Sequence, residues 1–137
     1  MSASHAVGAL VLLLVVAGGC AETLPDEDRR IYDAVPAAKL SADILWKDYA
    51  ADAEAADREY WGKALEVSGN VAAMTPGPPH VVIIFRQADE PGVEAILLDD
   101  EAEAITARVK VGDRITLRCF CEGLDGSVRL KSCIAKR

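Results

Sequence analysis

The amino-acid sequence predicts a small, mainly β domain: a closed barrel of five strands, with a helix before it and a short helix between strands three and four. Three observations predict this class. Apolar and β-branched runs recur between turn-forming residues along 60–135. Gly69 interrupts the first run, as expected where one long strand bends to serve two sheet surfaces. A short turn separates the last two runs, which predicts a hairpin.

The chain opens on an apolar segment without charge. Residues 6–16 are apolar, and the small residues 17–19 precede Cys20. The run is shorter than the roughly 20 residues of a spanning helix and has the length of an export-signal core. The residues before Cys20 resemble the lipobox of bacterial lipoproteins, in which cleavage leaves a lipid-modified cysteine at the new amino terminus. We predict a signal peptide at 1–19, with an uncleaved anchor or a plain secretory signal as alternatives.

Lipidation of Cys20 would attach the mature protein to a membrane. By analogy with enterobacterial sorting, Ala21 after this cysteine indicates the outer membrane, so the domain would lie on its periplasmic side. Pro25, Pro36 and the charged run 26–30 are typical of solvated chain. The sequence thus predicts an acylated cysteine and flexible tether over 20–39 and a folded domain over 40–137.

The charge is acidic in total and uneven along the chain. The formal net charge is −7, yet residues 106–137 contain eight Lys or Arg against three acidic residues. The remainder is therefore strongly acidic. An acidic total argues against a general phosphate-binding surface and, with it, against nucleic acid as the partner.

The predicted elements follow one another without long gaps. Ser41 is a suitable N-cap for the lead-in helix, which should end before residues 60–63. Asp100 and Glu103 have the spacing of a capping box for the second helix. The strands are predicted at 60–75, 80–86, 93–98, 114–121 and 127–135.

This order, with a helix between the third and fourth strands, is that of the OB-fold, a five-stranded Greek-key barrel. Two motifs, Tyr60-x-Gly62-Lys63-x-Leu65-x-Val67-x-Gly69-x-Val71 and Cys121-x-Gly123 followed by Val128-x-Leu130-x-x-Cys133, resemble the tRNA-anticodon-like OB-fold family of bacterial lipoproteins. The resemblance covers about 40–134 and implies no reaction. It implies a disulfide between Cys121 and Cys133.

The residues themselves leave the cysteine pairing open. An oxidising periplasm favours one disulfide and one thiol among Cys119, Cys121 and Cys133. A simple hairpin register that pairs Cys121 with Val128 puts Cys133 on the opposite face, and a bulge would bring it round. A Cys119–Cys133 bond and the absence of a disulfide are the alternatives.

Catalytic and metal chemistry have little support in the sequence. His80 is the only histidine after the signal, and its neighbours have no recognisable catalytic spacing. We interpret it as a surface residue at a strand start. His80 and the three cysteines could be written as a zinc site, but their spacing is not that of a known zinc knuckle. The acidic residues 99–103 could bind calcium, but their position at a helix start explains them more simply. We expect no enzyme activity, no metal and no cofactor.

The only partner surface that the sequence indicates is a basic face on the last hairpin. The usual OB-fold binding face, strands two and three with their loops, offers only Phe85 and Arg86 for a single-stranded ligand. The basic face consists of Arg114, Arg118, Phe120, Arg129 and Lys131. The sequence thus predicts a lipid-anchored, non-catalytic OB-fold binding module of the bacterial envelope with a protein or glycan partner. The alternative is an oligonucleotide- or oligosaccharide-binding OB domain.

Overall fold

A computed structural model of the chain describes residues 27–136. The predicted signal peptide and Cys20 lie outside these residues. The described region is mainly β, with helices and a 3₁₀ helix at Arg29–Tyr32. The strands are β1 Ala38–Ser41, β2 Ala64–Asn70, β3 Ala73–Thr75, β4 Val82–Phe85, β5 Val93–Leu97, β6 Arg114–Asp125 and β7 Ser127–Ala135, and the helices are α1 Ala42–Ala51, α2 Ala53–Tyr60 and α3 Asp99–Arg108.

All seven strands belong to one sheet, in the order β1-β2-β6-β7-β5-β4-β3. Within residues 27–136 no strand pairing closes this sheet into a barrel. The prediction of a closed, five-stranded barrel is therefore wrong in the number of strands and in the closure. Two causes account for the extra strands. The predicted first strand is divided into β2 and β3. The end of the predicted tether and the two residues after it add β1, which pairs with β2 in parallel.

The predicted bend in the first strand is confirmed. β2 pairs with β6, whereas β3 pairs with β4 at the other edge of the sheet. Val71 and Ala72 connect the two halves, and their N–H groups donate to Asp113 O and Ile84 O, each at 2.8 Å. One segment therefore serves two parts of the sheet without leaving its backbone unpaired.

The lead-in helix begins where the sequence predicts and ends earlier. Ser41 Oγ accepts the N–H of Ile44 at 3.1 Å, which confirms the N-cap. Asp52 then interrupts the helix in an extended conformation, and its Oδ1 accepts the N–H of Ala55 at 3.1 Å. Because one residue ends α1 and caps α2, the predicted single helix is two. Leu45 and Tyr49 on α1 are buried against the sheet.

Helix α3 begins at Asp99 without the predicted capping box. Its N-cap is Leu98, which offers no side-chain hydrogen bond. The N–H of Asp99 instead donates to Glu27 Oε2 at 3.1 Å. Glu27, which is distant in sequence, thus accepts a backbone N–H at the start of α3, a role that the sequence pattern predicts for a capping box of Asp100 and Glu103.

Residues 27–34 form an N-terminal strap that packs on the sheet, so the prediction of a flexible tether is wrong for 27–39. Ile31 is fully buried. The N–H of Asp28 donates to Ser132 Oγ at 2.8 Å, and Tyr32 Oη donates to Glu101 Oε2 at 2.9 Å. The composition of this segment is that of solvated chain, but a buried apolar side chain and several polar contacts hold it on the domain.

The last hairpin contains a bulge that decides the disulfide. Ser132 is buried with a φ of 55°, and the β6–β7 register shifts between Arg118 and Phe120. Cys133 consequently points into the core and is bonded to Cys119, while Cys121 is a buried free thiol. The pairing of Cys121 with Cys133 implied by the family resemblance is wrong, and the Cys119–Cys133 alternative is formed.

Candidate functional site

A cleft of about 410 Å³ lies where the amino end of α1 meets the ends of β2, β4 and β6. Its lining combines aromatic, amide, hydroxyl and charged side chains, contributed by elements far apart in sequence. The lining side chains with polar groups or rings are Ser41, Asp43, Trp46, Ser68, Asn70, Phe85, Arg86, Gln87, Glu90 and Arg114. A concave surface with an apolar floor and several polar groups is typical of a ligand site.

The floor of the cleft depends on Gly69. A Cβ at this position would lie 2.9 Å from Phe85 Cδ1 and 3.2 Å from the Cβ of Ala42. Without a side chain there, the amino end of α1 and the ring of Phe85 approach the strand closely. Phe85 is buried, and Trp46 is half-buried beside the core. The cleft therefore has a rigid aromatic side.

The rim of the cleft carries polar groups in fixed positions. Arg114 Nη1 donates to Asn70 Oδ1 at 3.4 Å, across the paired strands β2 and β6. Asp43 is 3.1 Å from Lys47 Nζ, one turn along α1. Among the lining residues, Arg86 and Arg114 balance the two acidic side chains. A cleft of mixed sign suits a polar ligand better than a polyanion.

The five residues predicted as one basic face lie on the paired strands β6 and β7, with Phe120 opposite Lys131, but most of their side chains are engaged in different contacts. Lys131 Nζ is 2.7 Å from Glu122 Oε2, and Arg118 Nη1 donates to Tyr32 O at 3.4 Å. Phe120 lies under the strap, with the guanidinium carbon of Arg30 5.9 Å from its ring centroid. Arg114 lines the cleft, and Arg129 lies opposite Glu94 in the β5–β7 register. Use of this face by a partner stays a prediction.

The alternative binding face also differs from the expectation. Phe85 is 2% exposed, so its ring is unavailable for stacking on the outer face of β4 and β5. Arg86, the other residue expected there, lines the cleft at the end of β4. Both side chains thus belong to the cleft rather than to the usual OB-fold surface.

The free thiol is held in an inert environment. Cys121 Sγ is 3.5 Å from Tyr49 Oη, which donates to Asp57 Oδ1 at 2.8 Å. Burial raises the pKa of the Cys121 thiol above its usual value, and it also raises the pKa of Tyr49. A protonated, buried thiol is a poor nucleophile and a poor metal ligand.

His80 is less exposed than the sequence predicts. Its side chain is 16% exposed, and its Nδ1 is 2.9 Å from Asp99 Oδ1 and 3.9 Å from Glu27 Oε2. The zinc set considered from the sequence is not assembled, because the disulfide occupies two of its cysteines. The acidic residues 99–103 also diverge, since Asp100 pairs with Arg29 on the strap.

Sequence reasoning missed the cleft because no local motif marks it. Two residues were available as signals of the cleft: Trp46 lies next to the buried face of its helix, and Gly69 lets Phe85 approach the strand closely. Neither residue reveals that Asn70, Arg86 and Arg114 line one cleft, because tertiary contacts bring them together. Over residues 27–136, no helix is both long and apolar enough to cross a membrane.

Comparisons with known proteins agree with this architecture. The sequence model of the tRNA_anti-like family matches residues 1–134. A crystal structure from Klebsiella pneumoniae subsp. pneumoniae, described as a "putative nucleic acid-binding lipoprotein", is similar with a TM-score of 0.60 and 12% identity, over 80% of this chain and 98% of that one. This likeness is one of fold.

A second similar structure is described as a "putative aspartyl-tRNA synthetase" from Leishmania major Friedlin. Its TM-score is 0.49 at 10% identity, over 72% of this chain and 21% of that one. None of the curated proteins matches the chain.

Proposed function

Because this chain belongs to the tRNA_anti-like family, we propose that it is a lipid-anchored, non-catalytic binding module of the bacterial cell envelope with an OB-like fold. Two features support the anchor: the lipobox-like residues before Cys20, and the fold shared with a protein described as a lipoprotein. The lipid on Cys20 holds the module on the periplasmic side of the outer membrane. Its partner is an envelope glycan or protein.

The cleft is the observation that carries the binding function. Trp46 is half-buried and offers an apolar face above a floor that the buried ring of Phe85 supports, while Asn70 and Gln87 offer amide groups beside it. Sugar rings present both apolar faces and hydroxyl groups, so this combination suits a glycan. Because the lining has equal numbers of basic and acidic side chains, a neutral ligand can bind without burying an uncompensated charge.

An oligonucleotide is the second candidate, on one specific observation. Arg86 and Arg114 both line the cleft, and guanidinium groups bind phosphates in a bidentate manner. The similar Klebsiella pneumoniae structure is described with the words "nucleic acid-binding". Binding of this kind would weaken steeply with added salt, whereas glycan binding would change little.

A calorimetric titration separates these candidates. The purified chain is titrated with size-fractionated soluble cell-wall glycan fragments and, separately, with a single-stranded 12-mer oligonucleotide, each at low and high salt. We expect saturable glycan binding that Trp46→Ala weakens by about 30-fold, the effect of losing a central aromatic contact of about 2 kcal/mol. Trp61→Ala is the matched control, because Trp61 is 50% exposed and lies outside the cleft lining.

Three outcomes would contradict the glycan assignment. Tighter binding of the oligonucleotide than of the glycan, with a steep dependence on salt, would show that the ligand is an oligonucleotide. Equal losses in the Trp46 and Trp61 variants would remove the cleft as the site. Binding of neither ligand would contradict both assignments. Asn70→Ala serves as a second cleft variant, because Asn70 is exposed and its truncation leaves the core intact.

A further inference from the structure

Three metal-ligating side chains from separate segments converge beside the amino end of α3. Glu27 comes from the strap, His80 from the residues before β4, and Asp99 from the first position of α3. One ligand atom of each lies within 4.8 Å of the other two. Neither the predicted basic face nor the cleft uses these residues.

The contacts of this cluster fix its ligand atoms in place. His80 Nδ1 lies 2.9 Å from Asp99 Oδ1 and 3.9 Å from Glu27 Oε2. The carboxylate of Glu27 is held by the backbone N–H of Asp99, at 3.1 Å from Oε2. Ligand atoms bonded to one tetrahedral zinc ion at about 2.0–2.2 Å lie roughly 3.3–3.6 Å apart. The two separations from His80 bracket this value, and the third pair also lies within 4.8 Å, so small side-chain shifts would bring the three atoms around one ion.

The ligand types in this cluster, one imidazole and two carboxylates, determine which cation it prefers. An imidazole nitrogen suits Zn²⁺ and similar transition metals, whereas Ca²⁺ takes 6–8 oxygen ligands and Mg²⁺ is bound mainly by oxygen and water. The two carboxylates supply two negative charges to a divalent cation. Their neighbours are already engaged in other contacts, since Asp100 pairs with Arg29 and Glu101 accepts from Tyr32.

We propose that Glu27, His80 and Asp99 form a zinc site that joins the strap to the body of the domain. Three protein ligands leave one coordination position for water, and the site opens to solvent, because the side chains of Asp99 and Glu27 are 57% and 30% exposed. Zinc would add a link to the strap contacts made by Asp28 and Tyr32. The metal thereby stabilises the docking of the segment that leads towards Cys20.

The test is zinc binding by the purified chain after treatment with a chelator. Zn²⁺ is titrated by calorimetry against His80→Gln, Asp99→Asn and Glu27→Gln, with Mg²⁺ as the comparison ion. We expect one Zn²⁺ per chain, and an affinity loss above about 100-fold in each variant, since outer-shell changes already cost 10–100-fold. Glu103→Gln is the matched control: it removes an exposed carboxylate on the same helix, outside the cluster, and should bind as the unmodified chain does.

Two results would overturn the site: no saturable Zn²⁺ binding, or binding that survives in the His80 and Asp99 variants. X-ray absorption of the zinc-loaded unmodified chain gives an answer that does not depend on how the variants fold. Nitrogen and oxygen ligands without sulfur are expected, and a Zn–S distance near 2.3 Å would place the ion on a cysteine instead. The zinc site does not rest on the proposed glycan function, so either can fail without the other.

Discussion

Gly69 sets the distance between the helical layer and the sheet. The Cβ that any other residue would add lies 2.9 Å from the buried ring of Phe85, closer than real Cβ atoms come to a neighbour. The ring lies in a packed core and has little room to retreat. The architecture and the floor of the cleft therefore depend on the absence of one side chain.

Gly69→Ala should accordingly destabilise the protein and distort the cleft. We expect a loss of about 1–3 kcal/mol in the free energy of unfolding, as for other overpacked cores, measured by urea denaturation. Asn70→Ala is the control, since it changes the next residue, which is exposed, and should stay within about 0.5 kcal/mol. Equal stability of Gly69→Ala and the unmodified chain would show that the helix moves away freely.

Among the elements, the strap connects parts of the domain that are distant in sequence. Its contacts reach β7 through Ser132 and α3 through Glu101, and Ile31 fills a buried site between them. The strap also supplies Glu27 to the cap of α3. It is therefore part of the folded domain rather than a spacer before it.

Ile31→Ala tests the contribution of the strap to stability. Truncating a fully buried isoleucine should cost about 2–5 kcal/mol, measured as a fall in the free energy of unfolding. Val35→Ala is the matched control, because Val35 is 87% exposed four residues later and should change stability by less than about 0.5 kcal/mol. Equal effects of the two substitutions would mean that the strap is not docked in solution.

The strap should also loosen in acid. The hydrogen bond from the Arg30 side chain lowers the pKa of Asp28, and the hydrogen bond from Arg29 lowers the pKa of Asp100. A carboxylate with a lowered folded-state pKa stabilises fully above its unfolded pKa of about 3.9. That stability is lost as the pH falls through the lowered folded-state value.

We expect the stability of the unmodified chain to drop as the pH falls below about 4, and to drop less in Asp28→Asn, which cannot lose this charge. Urea midpoints measured at several pH values check this. Parallel curves for the two proteins would exclude Asp28 as a source of the acid sensitivity.

For the whole molecule, the sequence predicts the class of fold better than its closure or its sites. The approximate positions of the five predicted strands, the bend and the Ser41 cap follow from local patterns and are confirmed. β1 was not predicted, and β6 extends through most of the predicted turn to Asp125. The strap, the Asp52 break and the Ser132 bulge are decided by tertiary contacts or by one backbone conformation, which no periodicity shows. The bulge alone changes the partner of Cys133. The cleft was missed for a related reason, because Arg86, Asn70 and Arg114 meet only after folding.

The docked strap changes the geometry that the proposed anchor implies. Seven residue steps join Cys20 to Glu27, and an extended chain of this length spans at most about 25 Å. The tether predicted over 20–39 would have allowed a wider reach. With the strap docked, an anchored domain stays within a short distance of the lipid surface.

The central claim, a lipid-anchored module with one disulfide, is tested most directly by intact mass. The protein is purified from its own membrane fraction without reductant and weighed before and after alkylation in denaturant. The account predicts a chain that begins at an acylated Cys20 and carries one alkylated thiol, Cys121. A chain without lipid in which Cys119, Cys121 and Cys133 are all alkylated would contradict the anchor, the compartment and the disulfide together.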